Sequence, residues 1–218
     1  AHAHLGIAAD GDGDRIIVCN EKGEKIASEQ LIAFLAAYLK QQGKYSGNAV
    51  VSTVLSNTAL ERYVRSMGMD YYSTKVGERA VIEKMKEAGC SIGGEESGHV
   101  VALDYGKSGD AMVVSLLVSM GLLQSGKKMS EIFPVFTPDP FVFESPRVAS
   151  REIVKTAAAD EKVLAVVRAG QEKMGSEGRV VLHPSGTEPL IRVWVGGRDE
   201  RLVKEISDSI LAEVKRFQ

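Results

Sequence analysis

The chain has 218 residues, a formal net charge of −2, and 44% hydrophobic and 26% charged side chains, enough to bury one or two cores. The near-neutral balance, the 6% aromatic content and the lack of a long basic stripe exclude nucleic-acid binding as the main role and favour small-molecule partners. The longest apolar run, Ala111 to Leu123, is broken by serines and a glycine and falls short of the roughly 20 residues that cross a bilayer, so it predicts a buried helix.

Read in order, an apolar stretch ends in "DGDGDR", Asp10 to Arg15, which the alternation places beside a core strand. The following "IIVCNEKGEKI" predicts a hairpin turning at Gly23. A helix is expected over Glu29–Gln42, stopped by Gly43, then a β-rich run over Asn48–Leu55. Thr58 stands three residues before Glu61, the spacing of a capping box, and opens a helix ending at Gly68. A strand near Met69–Thr74, a helix over Glu78–Ala88 closed by Gly89, a short strand at Cys90–Ile92 and another at His99–Leu103 complete an α/β pattern. Pro134, Pro138 and Pro140 mark a linker, because proline removes a ladder donor and restricts its predecessor. Beyond it the order changes. A strand is expected at Phe141–Glu144, a helix at Glu161–Met174, strands at Arg179–His183 and Leu190–Val195, and a closing helix at Leu202–Val214. In that helix Leu202, Ile206, Ile210 and Val214 repeat every fourth residue and line one face. The two cysteines, Cys19 and Cys90, are too far apart in sequence to suggest a disulfide framework. With no signal peptide at the start, a reducing cytoplasm is expected. The absence of an initiator methionine hints at processing or truncation.

Three loops carry the chemistry. Asp10, Asp12 and Asp14 can offer hard oxygens to one cation, with Gly11 and Gly13 allowing a tight turn, and Mg²⁺ is the natural guest. The aspartate spacing also fits an EF-hand, but Arg15 falls where that loop needs glycine, at about 1–3 kcal/mol of strain, and no flanking helices are predicted. Arg15 either neutralises the aspartates or aims a planar fork at a phosphate. "GGEESGHV", Gly93 to Val100, suits a polyhydroxylated ligand: Glu95 and Ser97 can bond sugar hydroxyls and His99 can move a proton. The competing reading is a turn in which Glu95, Glu96 and His99 satisfy one another. "HPSGTEPLIRV", His183 to Val193, offers hydroxyls and amides at Ser185, Gly186 and Thr187 in one arc, with Arg192 on the next strand. An ordinary proline-bracketed loop explains the same residues.

Taken together, "GIAADGDGDR", "GGEESGH" and "PSGTEPLIRV", in this order, resemble the α-D-phosphohexomutase family. "LSNTALERYV", "STKVGERAVIEKM" and "SGTEPLIRVWV" are most similar to its phosphoglucosamine mutase branch. The resemblance implies a mixed-sheet α/β domain followed by a small α+β C-terminal domain, TATA-box-binding-protein-like. Residues 1–27 would close a metal-binding domain 2, 28–137 form sugar-binding domain 3 and 138–218 form phosphate-binding domain 4. It implies Mg²⁺ at Asp10, Asp12 and Asp14, phosphate contact and catalysis by Arg15, proton transfer by His99, and sugar contact by Glu95 and Ser97. The phosphate that is not transferred would be held by His183, Ser185, Gly186, Thr187 and Arg192.

The implied reaction moves phosphate between the 6- and 1-positions of a hexose, glucosamine phosphate first, through a hexose 1,6-bisphosphate. Phosphomannomutase or phosphoglucomutase activity is the alternative, and a non-catalytic phosphosugar-binding fragment is the alternative of another class. His183 stands where the family usually has arginine, which predicts weaker, pH-dependent anchoring. Glu96 stands where the glucosamine branch tends to have glutamine or asparagine. The family's Ser-His-Asn-Pro-type phosphoserine loop is missing from the sequence. The chain alone is therefore expected to be inactive, with N-terminal serine-bearing domains as its partner, and no nucleic acid or membrane.

Overall fold

Five consecutive buried residues, Ala49–Thr53, form the strand around which the first part of the chain is built. Burial on both faces is what a parallel strand between helix layers requires. In the computed structural model, which describes residues 2–218, the chain divides into one unit ending at Thr137 and another beginning at Pro138.

The first unit opens with strands β1 (Leu5–Ala9), β2 (Ile16–Asn20) and β3 (Lys25–Ile26), paired antiparallel in that order. Next come α1 (Ser28–Gln41), β4 (Ala49–Thr53), α2 (Thr58–Ser66), β5 (Asp70–Thr74), α3 (Glu78–Ala88), β6 (Ile92–Gly94), β7 (Val100–Ala102), α4 (Ala111–Ser125) and the short α5 (Met129–Ile132). The second sheet runs β5-β4-β6-β7. β4 lies parallel to β5 and β6, while β7 is antiparallel to β6, so the sheet is mixed. Alternation along β4 sends Val50 into a core with Leu31, Leu35 and Leu39 of α1, and Val51 into a core with Val81 and Met85 of α3. Each fully buried leucine contributes about 1.5–3 kcal/mol relative to exposure. Ile16, Val18 and Ile26 of the first sheet join the α1 core, which ties the aspartate loop to the main body of the unit.

The second unit holds β8 (Phe141–Glu144), α6 (Arg151–Ala158), α7 (Glu161–Met174), β9 (Gly178–Pro184), β10 (Ile191–Gly197) and α8 (Glu200–Val214). Its antiparallel sheet runs β8-β10-β9. Val193 and Val195 of β10 pack with Val163 of α7 and with Ile206, Ile210 and Val214 of α8 in one core.

Several expectations need correction. α2 is capped by Asn57, whose side chain accepts from the Ala59 amide, and Thr58 is already helical. The strand expected at Cys90–Ile92 lies two residues later, because the chain enters the sheet only after Ser91 has bonded back to the Ser46 backbone. β1 is a half-exposed edge strand. α4 is not buried all round: Val114, Leu117, Val118 and Leu122 face the core, whereas Met112, Leu116, Met120 and Leu123 are exposed. α6, which apolar periodicity over eight residues was too short to reveal, buries Val154 and Ala157.

Candidate functional site

The aspartate loop joins β1 to β2, so strands flank it and the EF-hand arrangement is excluded. The Arg15 amide donates to Asp10 Oδ1 (3.2 Å), the Gly13 amide to the Asp10 carbonyl (3.3 Å), and the Ala111 amide at the start of α4 to the Gly13 carbonyl (2.9 Å). Gly13 has φ of 74°, the left-handed conformation that glycine tolerates without strain. Gly11 has no such angle, so the turn does not use its freedom. Carboxylate oxygens of Asp10, Asp12 and Asp14 lie within 4.8 Å of one another. Partial desolvation of Asp10 opposes ionisation, yet the Arg15 amide and the Arg15 charge hold its carboxyl below the ordinary value. Asp14 Oδ1 is buried without a hydrogen-bond partner. Three converging carboxylates with one orphaned oxygen are a donor set that fits a hard divalent cation.

The second loop closes on the first. The Ile16 amide donates to the Gly98 carbonyl at 3.1 Å. His99, buried at the start of β7, spans the two loops: Nε2 lies 3.0 Å from Asp14 Oδ2, and Nδ1 lies 3.1 Å from both Glu95 Oε2 and Ser97 Oγ. Arg15 Nε–H donates to Nε2, so the neutral ring that accepts it carries its proton on Nδ1, facing Glu95. Arg15 Nε sits 3.2 Å from His99 Nε2, 3.7 Å from Asp10 and 3.9 Å from Asp14, and its half-exposed guanidinium keeps donors free. Arg15 is thus a counter-charge in this structure, with a face left open to an anion.

Glu95 is buried and its Oε1 accepts from the Gly77 amide at 2.7 Å, which anchors it to the start of α3. Glu95 and His99 do satisfy one another, but Glu96 turns away. Its Oε2 accepts from Thr53 Oγ1 (2.9 Å) at the end of β4, and burial, with Glu95 and Glu29 nearby, raises its pKa. Gly94 is required by space, since a Cβ there would lie 2.4 Å from the His99 carbonyl oxygen.

Glu78 was not recognised in the sequence. It forms a second cluster of potential ligands with Asp14 and His99 and accepts from the Gly109 amide. Its sequence signal was ambiguous, because an acidic residue in a first helical turn is also favoured by the helix dipole. Gly109 allows the loop above it to come close, as a Cβ there would lie 2.6 Å from the Asp14 carbonyl oxygen.

In the second unit the loop between β9 and β10 turns its amides inward. Ser185 is buried, and its Oγ accepts from the Glu188 amide (3.1 Å) and the Thr187 amide (3.4 Å). Gly186 and Thr187 are exposed. His183 and Arg192 are cross-strand partners and share a face, with Arg192 4.0 Å from Glu188 and His183 Nδ1 buried without a hydrogen bond. Arg151 at the start of α6 donates to the Gly186 carbonyl at 3.2 Å, a second guanidinium at this loop, beside Arg192, that the sequence did not single out.

Residues 27–138 match the family profile described as "Phosphoglucomutase/phosphomannomutase, alpha/beta/alpha domain III", and residues 147–213 match "Phosphoglucomutase/phosphomannomutase, C-terminal domain". The chain belongs to the phosphoglucomutase/phosphomannomutase family. A phosphoglucosamine mutase of Paramagnetospirillum magneticum is 42% identical over 214 residues, covering 98% of this chain and 47% of that protein. The chain thus spans about half the length of the curated relatives it matches, and corresponds to their C-terminal half. The fold is shared with Aspergillus fumigatus N-acetylphosphoglucosamine mutase solved with GlcNAc-6P and magnesium (TM-score 0.77, 18% identity, 96% of this chain and 48% of that one). It is shared too with a variant of that enzyme in complex with glucose 1,6-bisphosphate (TM-score 0.75, 19% identity, 97% and 48%). Mixed α/β architecture in two domains is therefore the family fold. No helix among the described residues is long and apolar enough to cross a membrane.

Proposed function

We propose that this chain is the sugar- and phosphate-binding half of a phosphohexomutase that moves phosphate between the 6- and 1-positions of a hexose phosphate, glucosamine phosphate first, by way of a hexose 1,6-bisphosphate. The observation that carries this reading is the docking of the aspartate loop on the Glu95–His99 loop, with His99 held between Asp14 and Glu95. In this reading residues 1–27 end a metal-binding domain, 28–137 bind sugar and 138–218 bind phosphate. The working compartment is the cytoplasm, in keeping with two free cysteines.

Asp10, Asp12 and Asp14 would hold Mg²⁺, which when bound supplies positive charge beside the phosphoryl oxygens. Arg15 orients a phosphoryl group through its exposed donors. Glu95, with two acceptor sites already used by Gly77 and His99, keeps capacity for sugar hydroxyls, and exposed Ser97 adds a hydroxyl beside it. His99 holds the proton that leaves or returns to a sugar oxygen. His183, Ser185, Gly186, Thr187 and Arg192 hold the phosphate that stays, which requires Thr187 and Glu188 to release Ser185 Oγ as the anion arrives.

Transfer itself needs a phosphorylated nucleophile in line with the sugar hydroxyl. The resemblance assigns that group to N-terminal serine-bearing domains, so the chain alone is expected to bind and not to turn over. Titration calorimetry with glucosamine 6-phosphate, and a coupled mutase assay with glucosamine, glucose and mannose 6-phosphates plus the matching 1,6-bisphosphate, test this. Binding without turnover is expected, and Asp12→Asn should weaken Mg²⁺ binding roughly tenfold or more. Failure to bind any of the three sugars would sink the reading, and turnover by the chain alone would refute the division of labour.

A further inference from the structure

We infer that Arg151, at the start of α6, is a positioning residue of the phosphate site in the second unit: its bond to the Gly186 carbonyl aims the Thr187 amide at a bound phosphate. This inference rests on the phosphate-binding reading of the β9–β10 loop given above and adds a residue that lies outside that loop.

Backbone pairing on two sides fixes where Arg151 stands. Residues 146–148 run antiparallel to the far end of the loop: the Ile191 amide donates to the Pro146 carbonyl (3.1 Å), the Val148 amide to the Pro189 carbonyl (2.9 Å), and Arg147 bridges to Leu190. The Ala149 amide then donates to the Phe217 carbonyl (2.8 Å), beyond α8. Val148 is buried in the core that holds Val193 and Ile206. Ser150 is extended, and the helix begins at Arg151. Val154 and Ala158, three and seven residues on, pack against the same core, so Arg151 shares the inward face of α6. Side chains of a helix lean toward its N-terminus, and from the first helical position that direction leads off the end of the helix. There Arg151 meets the Gly186 carbonyl at 3.2 Å.

This contact sets the direction of a neighbouring donor. A trans peptide holds its C=O and N–H on opposite sides of one plane. A Gly186 carbonyl turned to Arg151 therefore sends the Thr187 N–H the other way, toward the Ser185 hydroxyl. That N–H lies 3.4 Å from Ser185 Oγ, longer than an ordinary N–H···O bond of about 2.9–3.0 Å. A hydrogen bond to an anionic oxygen is roughly twice as strong as one to a neutral oxygen, so the amide exchanges its partner for a phosphate oxygen at little cost, provided the peptide does not turn over. Gly186 itself does nothing to prevent that. It is exposed, its φ is not positive, and nothing beyond its chain neighbours lies within 4 Å of where a Cβ would stand. A peptide beside an uncrowded glycine has many orientations, and the Arg151 bond selects one.

Charge points the same way. The strand that enters the loop carries an imidazole, His183, and the strand that leaves it carries Arg192, which sits 4.0 Å from Glu188. A phosphate monoester brings a charge of about −1.5 to −2 near neutral pH, and Arg151 adds a second permanently charged side chain to meet it.

The test titrates inorganic phosphate into the chain at constant pH and ionic strength and follows the Thr187 backbone amide by heteronuclear NMR. In the wild type that resonance should shift as phosphate binds. Arg151→Met should weaken phosphate binding about tenfold, the worth of one hydrogen bond to a charged group, and should move the Thr187 resonance before any phosphate is added. Lys155→Met removes the same charge one helical turn along α6; it should change affinity by less than about twofold and leave the free Thr187 resonance in place. Because Arg151 makes a single bond to the carbonyl and not a forked pair, Arg151→Lys should recover affinity to within about threefold of wild type. Circular dichroism and melting establish that the variants fold. A Thr187 amide that ignores phosphate in the wild type overturns the inference, as does Arg151→Met binding phosphate as tightly as wild type. So do equal losses in Arg151→Met and Lys155→Met, which would mark a diffuse effect of charge. Glucosamine 6-phosphate is titrated separately. Sugar phosphate binding with a silent Thr187 amide refutes the role of Arg151 and leaves the proposed function standing, whereas Arg151-dependent phosphate binding without binding of any sugar phosphate does the reverse.

Discussion

Gly109→Ala should destabilise the first unit and loosen the proposed cation site, although Gly109 belongs to none of the three motif loops. A Cβ at this position would lie 2.6 Å from the Asp14 carbonyl oxygen and 3.1 Å from Glu78 Oε1. Ordinary contact begins at 3.4 Å, so the Asp14 carbonyl must recede by about 0.8 Å (3.4 − 2.6) and the Glu78 carboxylate by about 0.3 Å (3.4 − 3.1). The carbonyl cannot move alone. The loop is tied to α4 through Ala111 and Gly13 and to the Glu95–His99 loop through Ile16 and Gly98. Overpacking against fixed backbone costs about 1–3 kcal/mol, or roughly 3–9 °C in melting temperature for a unit of this size. Because Asp14 carries both an oxygen of the proposed cation site and the contact to His99, Mg²⁺ affinity should fall as well. Gly11→Ala is the matched control: nothing lies within 4 Å of its Cβ and its φ is not positive, so its effect should stay within about 0.5 kcal/mol. Thermal denaturation and Mg²⁺ calorimetry on both variants decide the matter. Equal melting of Gly109→Ala and wild type, or an equal loss in both variants, would refute the reasoning.

Two further predictions concern Glu96 and His183. Burial raises the Glu96 pKa above the ordinary 4.5, so the folded state keeps a proton that the unfolded chain releases, and stability should decline as pH rises from about 4.5 through the raised value. Glu96→Gln keeps an acceptor for Thr53 without the charge; it should melt higher than wild type at pH 7–8 and identically at pH 4, and a pH-independent difference would contradict the assignment. If His183 faces the retained phosphate, His183→Arg, whose guanidinium is always charged, should bind glucosamine 6-phosphate more tightly than the wild type, and His183→Ala more weakly. Equal affinity of the three proteins by calorimetry would remove His183 from the site.

The sequence by itself determined what depends on neighbours within about one helical turn or one strand alternation. Every-fourth-residue apolar spacing located α8, Gly89 closed α3 in the left-handed conformation, and the "DGDGDR" spacing brought three carboxylates together. Tertiary structure decided what depends on partners far along the chain. His99 meets Asp14 across 85 residues because the aspartate-loop sheet shares the α1 core with the mixed sheet that carries β7. Glu96 leaves its neighbours for Thr53, 43 residues away, and Arg151 reaches Gly186, 35 residues away, in each case through pairings with no local periodicity. The Ser185 loop shows the same limit. Its residue types suit an anion nest, but their amides turn to the Ser185 hydroxyl because a buried oxygen beside unpaired N–H groups is satisfied internally first. α4 shows it most plainly: composition marks all its faces as apolar, and only packing against α1 and β7 reveals which face the unit covers and which it leaves exposed.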